Sequence, residues 1–149
     1  MYWLPRPPIE NHDYSRYQYL IYDGTYFHKD GCSINLMNAP ESTVLSSIYA
    51  FKEGSKSVLP WFKKLEAKGL NPASITMDGE RSTMHAIRLT WPNTKIQRCL
   101  YHIQMQGLIW LREHPKTLAA KELQDLLNGL CYIRSIKERN SFITSYKDW

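Results

Sequence analysis

The sequence has few cysteines and no long apolar run, and these absences narrow the class of protein. Its three cysteines, Cys32, Cys99 and Cys131, are an odd number at wide spacings. This spacing argues against a disulfide framework and favours a reducing, cytoplasmic setting. Because no stretch of about 18 apolar residues is present, we expect no membrane-spanning helix. The proline-containing N-terminus also lacks the apolar segment of a signal peptide.

The sequence also has fewer acidic than basic residues. Nineteen Lys and Arg stand against fourteen Asp and Glu, which gives a net charge of +5 and a pI of about 9.1. This balance is compatible with a nucleic-acid partner but does not establish one. With 43% hydrophobic and 13% aromatic residues, the chain is not of a disordered type, and 149 residues can hold one domain with a real core.

Hydrophobic periodicity predicts strands and helices in alternation, followed by helices alone. Residues 1–16 form an extended lead-in by this pattern. Strands are predicted at 17–23, 32–37, 43–51, 73–78 and 94–98, with a helix as the alternative for 43–51. Helices are predicted at 57–68, with Ser57 as its cap and Pro60 in its first turn, and from Glu80 to the break at Trp91-Pro92. Further helices are predicted at 101–112, 116–130 and 133–147, with breaks at His114-Pro115 and Gly129. This order predicts an α/β core with a helical appendage.

Two aspartates, each following an apolar run and each followed by glycine, are the most informative feature. They are Asp23 and Asp78, which lie 55 positions apart. A carboxylate at the exit of a buried strand is held by the sheet yet reaches solvent, and such oxygens suit a divalent metal. The following Gly24 and Gly79 let the backbone turn away and leave room for an anionic substrate. The alternative is that each aspartate is an ordinary turn residue.

The residues around and after Asp78 carry a family resemblance. Asp78-Gly79-Glu80 is followed by a helix with Ala86-Ile87, then by Pro92, a short strand and the Cys-x-x-His pair Cys99 and His102. This order resembles the second catalytic block of DDE transposases of the bacterial insertion-sequence and Mutator-like group. Asp23-Gly24-Thr25 resembles the first block, and the likeness extends from about residue 17 to at least residue 102.

The resemblance implies a fold, a chemistry and a set of partners. The fold would be RNase H-like, with a mixed sheet flanked by helices over 17–100 and the start of an all-helical insertion over 101–149. Asp23 and Asp78 would be catalytic and would hold Mg²⁺ or Mn²⁺. The reaction would be hydrolysis and strand transfer at transposon ends, the partners would be transposon-end and target DNA, and the full-length enzyme would be a homo-oligomer.

One part of the family pattern has no match. The third acid is a Glu on a late helix, and Glu113, Glu122 and Glu138 lie in no matching context. The resemblance therefore implies a fragment with an incomplete site, whose isolated activity would be weak or absent. Two alternatives stay open: an inactive remnant that at most binds DNA, and a different RNase H-like nuclease with a third acid of its own.

The other polar and aromatic side chains have a structural and a functional interpretation. Cys99 and His102 are expected to lie beside the acidic edge rather than to bind zinc, because no second ligand pair exists at suitable spacing. His85 is expected on the surface, Glu80 as the cap of its helix, and Trp61 and Trp91 in the core. Possible phosphate contacts are Arg81, Arg88, Lys95 and Arg98, whereas Lys63, Lys64 and Lys68 are more simply a solvated helix face.

Overall fold

The computed structural model describes residues 13–149 and confirms the α/β class. A short 3₁₀ turn at Tyr14–Arg16 precedes the first strand. The strands are β1 (Tyr19–Tyr26), β2 (Cys32–Asn38), β3 (Thr43–Ala50), β4 (Ser74–Met77) and β5 (Lys95–Arg98). The helices are α1 (Ser55–Ala67), α2 (Arg81–Thr90), α3 (Leu100–Leu111), α4 (Leu118–Leu130) and α5 (Ile136–Asp148).

The chain divides into two compact units, which we name by their content. The sheet unit contains residues 13–75 and 80–96 of the described chain, and the helical unit contains 76–79 and 97–149. No helix within residues 13–149 combines the length and the apolar character that crossing a bilayer requires.

The five strands form one mixed sheet in the order β3-β2-β1-β4-β5. The first three are antiparallel, with β1 paired to β2 from Leu20↔Asn38 to Tyr26↔Cys32. At the start of β4, the N–H groups of Ala73 and Ser74 both donate to the carbonyl of Gln18, just before β1. Since β4 begins where β1 begins, the two strands run in the same direction.

An aromatic cluster holds the first two helices on one face of the sheet. Phe62 of α1 is fully buried and meets Tyr22 of β1 edge-on at 6.0 Å between ring centroids. Trp61 and Trp91 lie 5.3 and 5.2 Å from the same Phe62 ring. Both indoles are buried, so their prediction as core residues is confirmed. Burying such side chains contributes about 2 kcal/mol each and fixes the helices over β1.

Several element boundaries differ from the sequence prediction. Strand β1 continues to Tyr26, because pairing with β2 extends past the glycine as far as Cys32. Helix α1 begins at Ser55 rather than Ser57, and Gly54 is its N-cap. Pro60 therefore lies inside the helix rather than in its first turn. Residues 43–50 form strand β3, so the helix alternative for this segment is wrong. The 3₁₀ turn at Tyr14–Arg16 corrects the expectation that the lead-in is wholly extended. Residues 1–12 of that lead-in lie outside the described chain.

The helical unit consists of α3, α4 and α5. Helix α4 runs through Gly129 to Leu130, so the predicted break at that glycine is wrong. The helix ends one residue later, where Cys131 caps it and α5 follows from a capping box formed by Ser135 and Glu138. Leu130 of α4 is buried, whereas Ile109, Trp110 and several other large apolar side chains of these helices are exposed.

Candidate acidic site

Asp23 lies inside β1 and not at its exit, which corrects the sequence prediction. The residue is half-buried and faces Asn35 of β2 across the antiparallel pair. Because side chains alternate along a strand, Asp23 points to the face opposite Tyr22, away from α1 and α2. Asn35 is paired in turn with Ser47 of β3, whose hydroxyl donates to the amide oxygen of Asn35 at 2.7 Å. A row of three polar residues thus crosses this face of the sheet.

Gly24 has a different role from the one the sequence suggested. It continues the strand, and a Cβ at this position would lie 2.6 Å from Oε2 of Glu53. The glycine gives room to the Glu53 carboxylate, which would have to shift to accommodate a side chain here.

Glu53 is the residue that the sequence prediction missed. It lies between β3 and α1, and the Tyr22 hydroxyl donates to its Oε1 at 2.7 Å. Its charge contributes, after burial, to raising the pKa of both Tyr26 and Cys32. The sequence signal was an acidic residue directly before the Gly54 helix cap, at a point where a strand pair gives way to a helix.

Asp78 follows β4 directly and is exposed. Gly79 has a φ of +101°, a left-handed conformation that favours glycine, so here the backbone does turn away as predicted. The Arg98 guanidinium lies against Gly79, where a Cβ would collide with it, and its Nη2 donates to the carbonyl oxygen of Asp78 at 3.2 Å. Within the helical unit, Asp78 therefore lies next to a cation held by the following strand.

Glu80 caps α2, as the sequence predicted. Its carboxylate accepts hydrogen bonds from the N–H groups of Ser82 and Thr83 and from the Ser82 hydroxyl. Partial burial acts to raise the pKa of Glu80, but these hydrogen bonds outweigh it and hold the pKa below its usual value. The carboxylate is thus engaged at the positive end of the helix.

Cys99 and His102 open the helical unit. The N–H of Cys99 donates to the carbonyl of Met77, the residue before Asp78, at 2.6 Å, and Cys99 is the N-cap of α3. The His102 ring is exposed and meets Tyr101 edge-on. All three thiols, Cys32, Cys99 and Cys131, are free.

The candidate phosphate-binding cations are exposed. Arg81 and Arg88 lie seven residues apart along α2 and so share a face with the exposed His85, while Lys95 and Arg98 lie at the two ends of β5. Lys63 is paired with Glu66 at 2.9 Å, and the Lys68 ammonium lies over the Tyr14 ring. Lys63 and Lys68 therefore have structural partners, in agreement with the solvated-face interpretation.

No protein-family model matches this chain. No curated protein has a significantly similar sequence either.

The donor chemistry of the two aspartates fits a hard divalent cation. Asp23 and Asp78 offer carboxylate oxygens, the ligands that Mg²⁺ and Mn²⁺ prefer, and both reach solvent. Mg²⁺ is commonly held by one or two carboxylates and keeps several waters. Among residues 13–149, no three His, Cys, Asp or Glu side chains converge to form a larger metal-binding group.

Proposed function

We propose that this chain carries the catalytic core of a DDE-type DNA transposase, with Asp23 and Asp78 as two acids of its metal site. The activity would be metal-dependent hydrolysis of a phosphodiester and strand transfer at transposon ends. The proposal combines the ordered motif resemblance with the donor chemistry of these two carboxylates.

The observation that carries the proposal is the place of the two aspartates along adjacent strands. Strands β1 and β4 are neighbours in the sheet order. Asp23 lies within β1 and Asp78 directly follows β4. Both carboxylates reach solvent, which supports the proposal that these residues bind a divalent cation.

The roles of the chain's own residues follow from this placement. Asp23 and Asp78 would hold the cation, while the turn at Gly79 keeps the backbone away from an approaching phosphate. A bound Mg²⁺ or Mn²⁺ would supply Lewis-acid stabilisation of the charge on the phosphodiester oxygens. The Arg98 side chain, held over Gly79, adds a positive charge beside Asp78.

Calorimetric titration of the purified chain with Mn²⁺ tests the proposal. We expect binding that Asp23→Asn and Asp78→Asn each weaken by about tenfold or more, since each removes one anionic ligand. Asp30→Asn is the matched control, because Asp30 is an exposed carboxylate in the turn between β1 and β2. Unchanged titrations in both site variants, or an equal loss in the control, would contradict the proposal.

A second candidate is a different RNase H-like nuclease that supplies its third acid itself. Glu53 does not supply that acid beside Asp23, because its carboxylate lies on the face of β1 that carries Tyr22, and Asp23 faces the other way. Nicking of supercoiled plasmid in Mg²⁺ distinguishes the candidates. A complete nuclease would nick without further protein, and Asp23→Asn would abolish that nicking. Weak or absent nicking with intact Mn²⁺ binding favours the transposase core, and loss of both properties indicates a remnant.

A further inference from the structure

An open cavity in the helical unit has an arginine rim. Its volume is about 680 Å³, and it lies between the end of β5 and the start of α5. Arg98, Arg134 and Arg139 line it together with the Ser135 cap of α5. Apolar side chains form the rest of the wall, among them Leu130, Ile133 and Phe142.

The three guanidinium groups donate to neutral oxygens. Arg98 donates to the carbonyl of Asp78, Arg134 to the carbonyls of Cys131 and Ile133, and Arg139 to the side-chain oxygen of Asn140. These bonds orient the side chains without cancelling their charge. Each guanidinium also has further N–H donors, since arginine carries five.

Two acids lie close to this rim. Asp78 adjoins Arg98, whose Nη2 donates to its carbonyl oxygen, and Glu138 lies at the start of α5 with its carboxylate already engaged. Oε2 of Glu138 accepts the N–H groups of Arg134 and Ser135 at 2.8 Å, and these bonds with the Ser135 hydroxyl hold the pKa of Glu138 below its usual value. Glu138 is thus committed to the capping box of α5. The positive end of this 13-residue helix adds to the field of the arginines.

We propose that this cavity, the arginine pocket, binds the phosphodiester backbone of a DNA strand. Arginine is the side chain best suited to phosphate, because its planar fork makes paired, charge-assisted hydrogen bonds. Three such groups line one opening, and the apolar wall accepts the less polar sugar and base edges. The choice of DNA as the occupant rests on the proposed function, but the test of the pocket does not rest on metal chemistry, because it changes Arg134 and Arg139, which are not proposed metal ligands.

Fluorescence anisotropy with a labelled oligonucleotide tests the pocket, in EDTA so that the acidic residues contribute no metal-mediated binding. We expect the double variant Arg134→Gln with Arg139→Gln to weaken binding by about tenfold and to reduce the salt slope by about 1 to 2. The charge-matched control is Lys116→Gln with Lys121→Gln, two exposed residues of the same unit outside the pocket. We expect this control to change affinity by no more than about twofold.

Two further arms identify what the pocket recognises. Replacing Arg134 and Arg139 by lysine keeps the charge but removes the planar fork, so we expect an intermediate loss. Inorganic phosphate and dAMP serve as small competitors, and we expect neither to displace the oligonucleotide at equal concentration. Equal losses in the glutamine pair and its control would overturn the proposal, as would full competition by the small anions. Thermal unfolding midpoints are measured for every variant, and midpoints equal to that of the native chain show that folded proteins are being compared.

Discussion

The Tyr22 hydroxyl donates a hydrogen bond to Oε1 of Glu53 at 2.7 Å, and the other oxygen of that carboxylate fills the space beside Gly24. The same hydroxyl lies 3.4 Å from Oγ1 of Thr83 in α2. One tyrosine therefore links β1, the segment before α1, and the second helix. This contact fixes the strand on which Asp23 lies.

The first prediction concerns the contact between Gly24 and Glu53. We expect Gly24→Ala to lower the free energy of unfolding by about 1 kcal/mol, because the new methyl group displaces the Glu53 carboxylate. In a Glu53→Ala background the same change should be neutral or stabilising, since alanine costs less chain entropy than glycine. Urea denaturation of the four proteins gives the coupling energy. An identical effect of Gly24→Ala in both backgrounds would show that the contact is unimportant.

The second prediction concerns pH and the Glu80 cap. The pKa of Glu80 is lowered by folding, so the ionised form contributes stability above its ordinary pKa of 4.5, and this stability is lost as the pH falls through the lower folded value. We expect Glu80→Gln to cost about 1 kcal/mol at pH 7 and to weaken the loss of stability below that ordinary pKa. Thermal unfolding across pH checks this. Parallel pH profiles for the two proteins would rule the cap out as the cause.

The third prediction separates two glycines of the helical unit. Gly129 lies inside α4 with open space where a Cβ would be, whereas a Cβ at Gly107 of α3 would lie 2.5 Å from Cδ1 of Leu127. We expect Gly129→Ala to raise the free energy of unfolding by about 0.5–1 kcal/mol. Gly107→Ala should lower it by about 1 kcal/mol, because the packed Leu127 side chain must shift to admit the new methyl group. The two variants serve as each other's control, and a change of the same sign in both would contradict the packing described.

Local patterns in the sequence predicted the elements better than their ends. The alternation in β2 and the helical spacing of Trp61, Phe62 and Leu65 placed those elements correctly, because burial on one face gives a clear period. The glycine after each aspartate predicted a turn twice, yet only Gly79 takes a left-handed conformation. At Gly24, pairing with β2 carries the strand onward, a tertiary effect that local sequence does not contain.

The role of Glu53 was missed for the same reason, because it depends on a tertiary contact. Glu53 directly precedes the Gly54 helix cap, and because charged residues are common at such places, that signal alone does not single it out. Its contact with Tyr22 spans 31 positions and exists because α1 folds back over β1. Long-range contacts of this kind follow from the packing of the aromatic cluster rather than from any motif.

The central proposal is that Asp23 and Asp78 bind the same divalent cation, and calorimetry with Mn²⁺ tests it most directly. Titrations of the native chain, Asp23→Asn, Asp78→Asn and the double variant give the number of ions bound per chain and the affinity of each. If both carboxylates hold one ion, the native chain should bind one Mn²⁺, each single variant should weaken that binding, and the double variant should bind more weakly still. Two bound ions in the native chain, one of which each single variant keeps, would place the aspartates in separate sites and contradict the account.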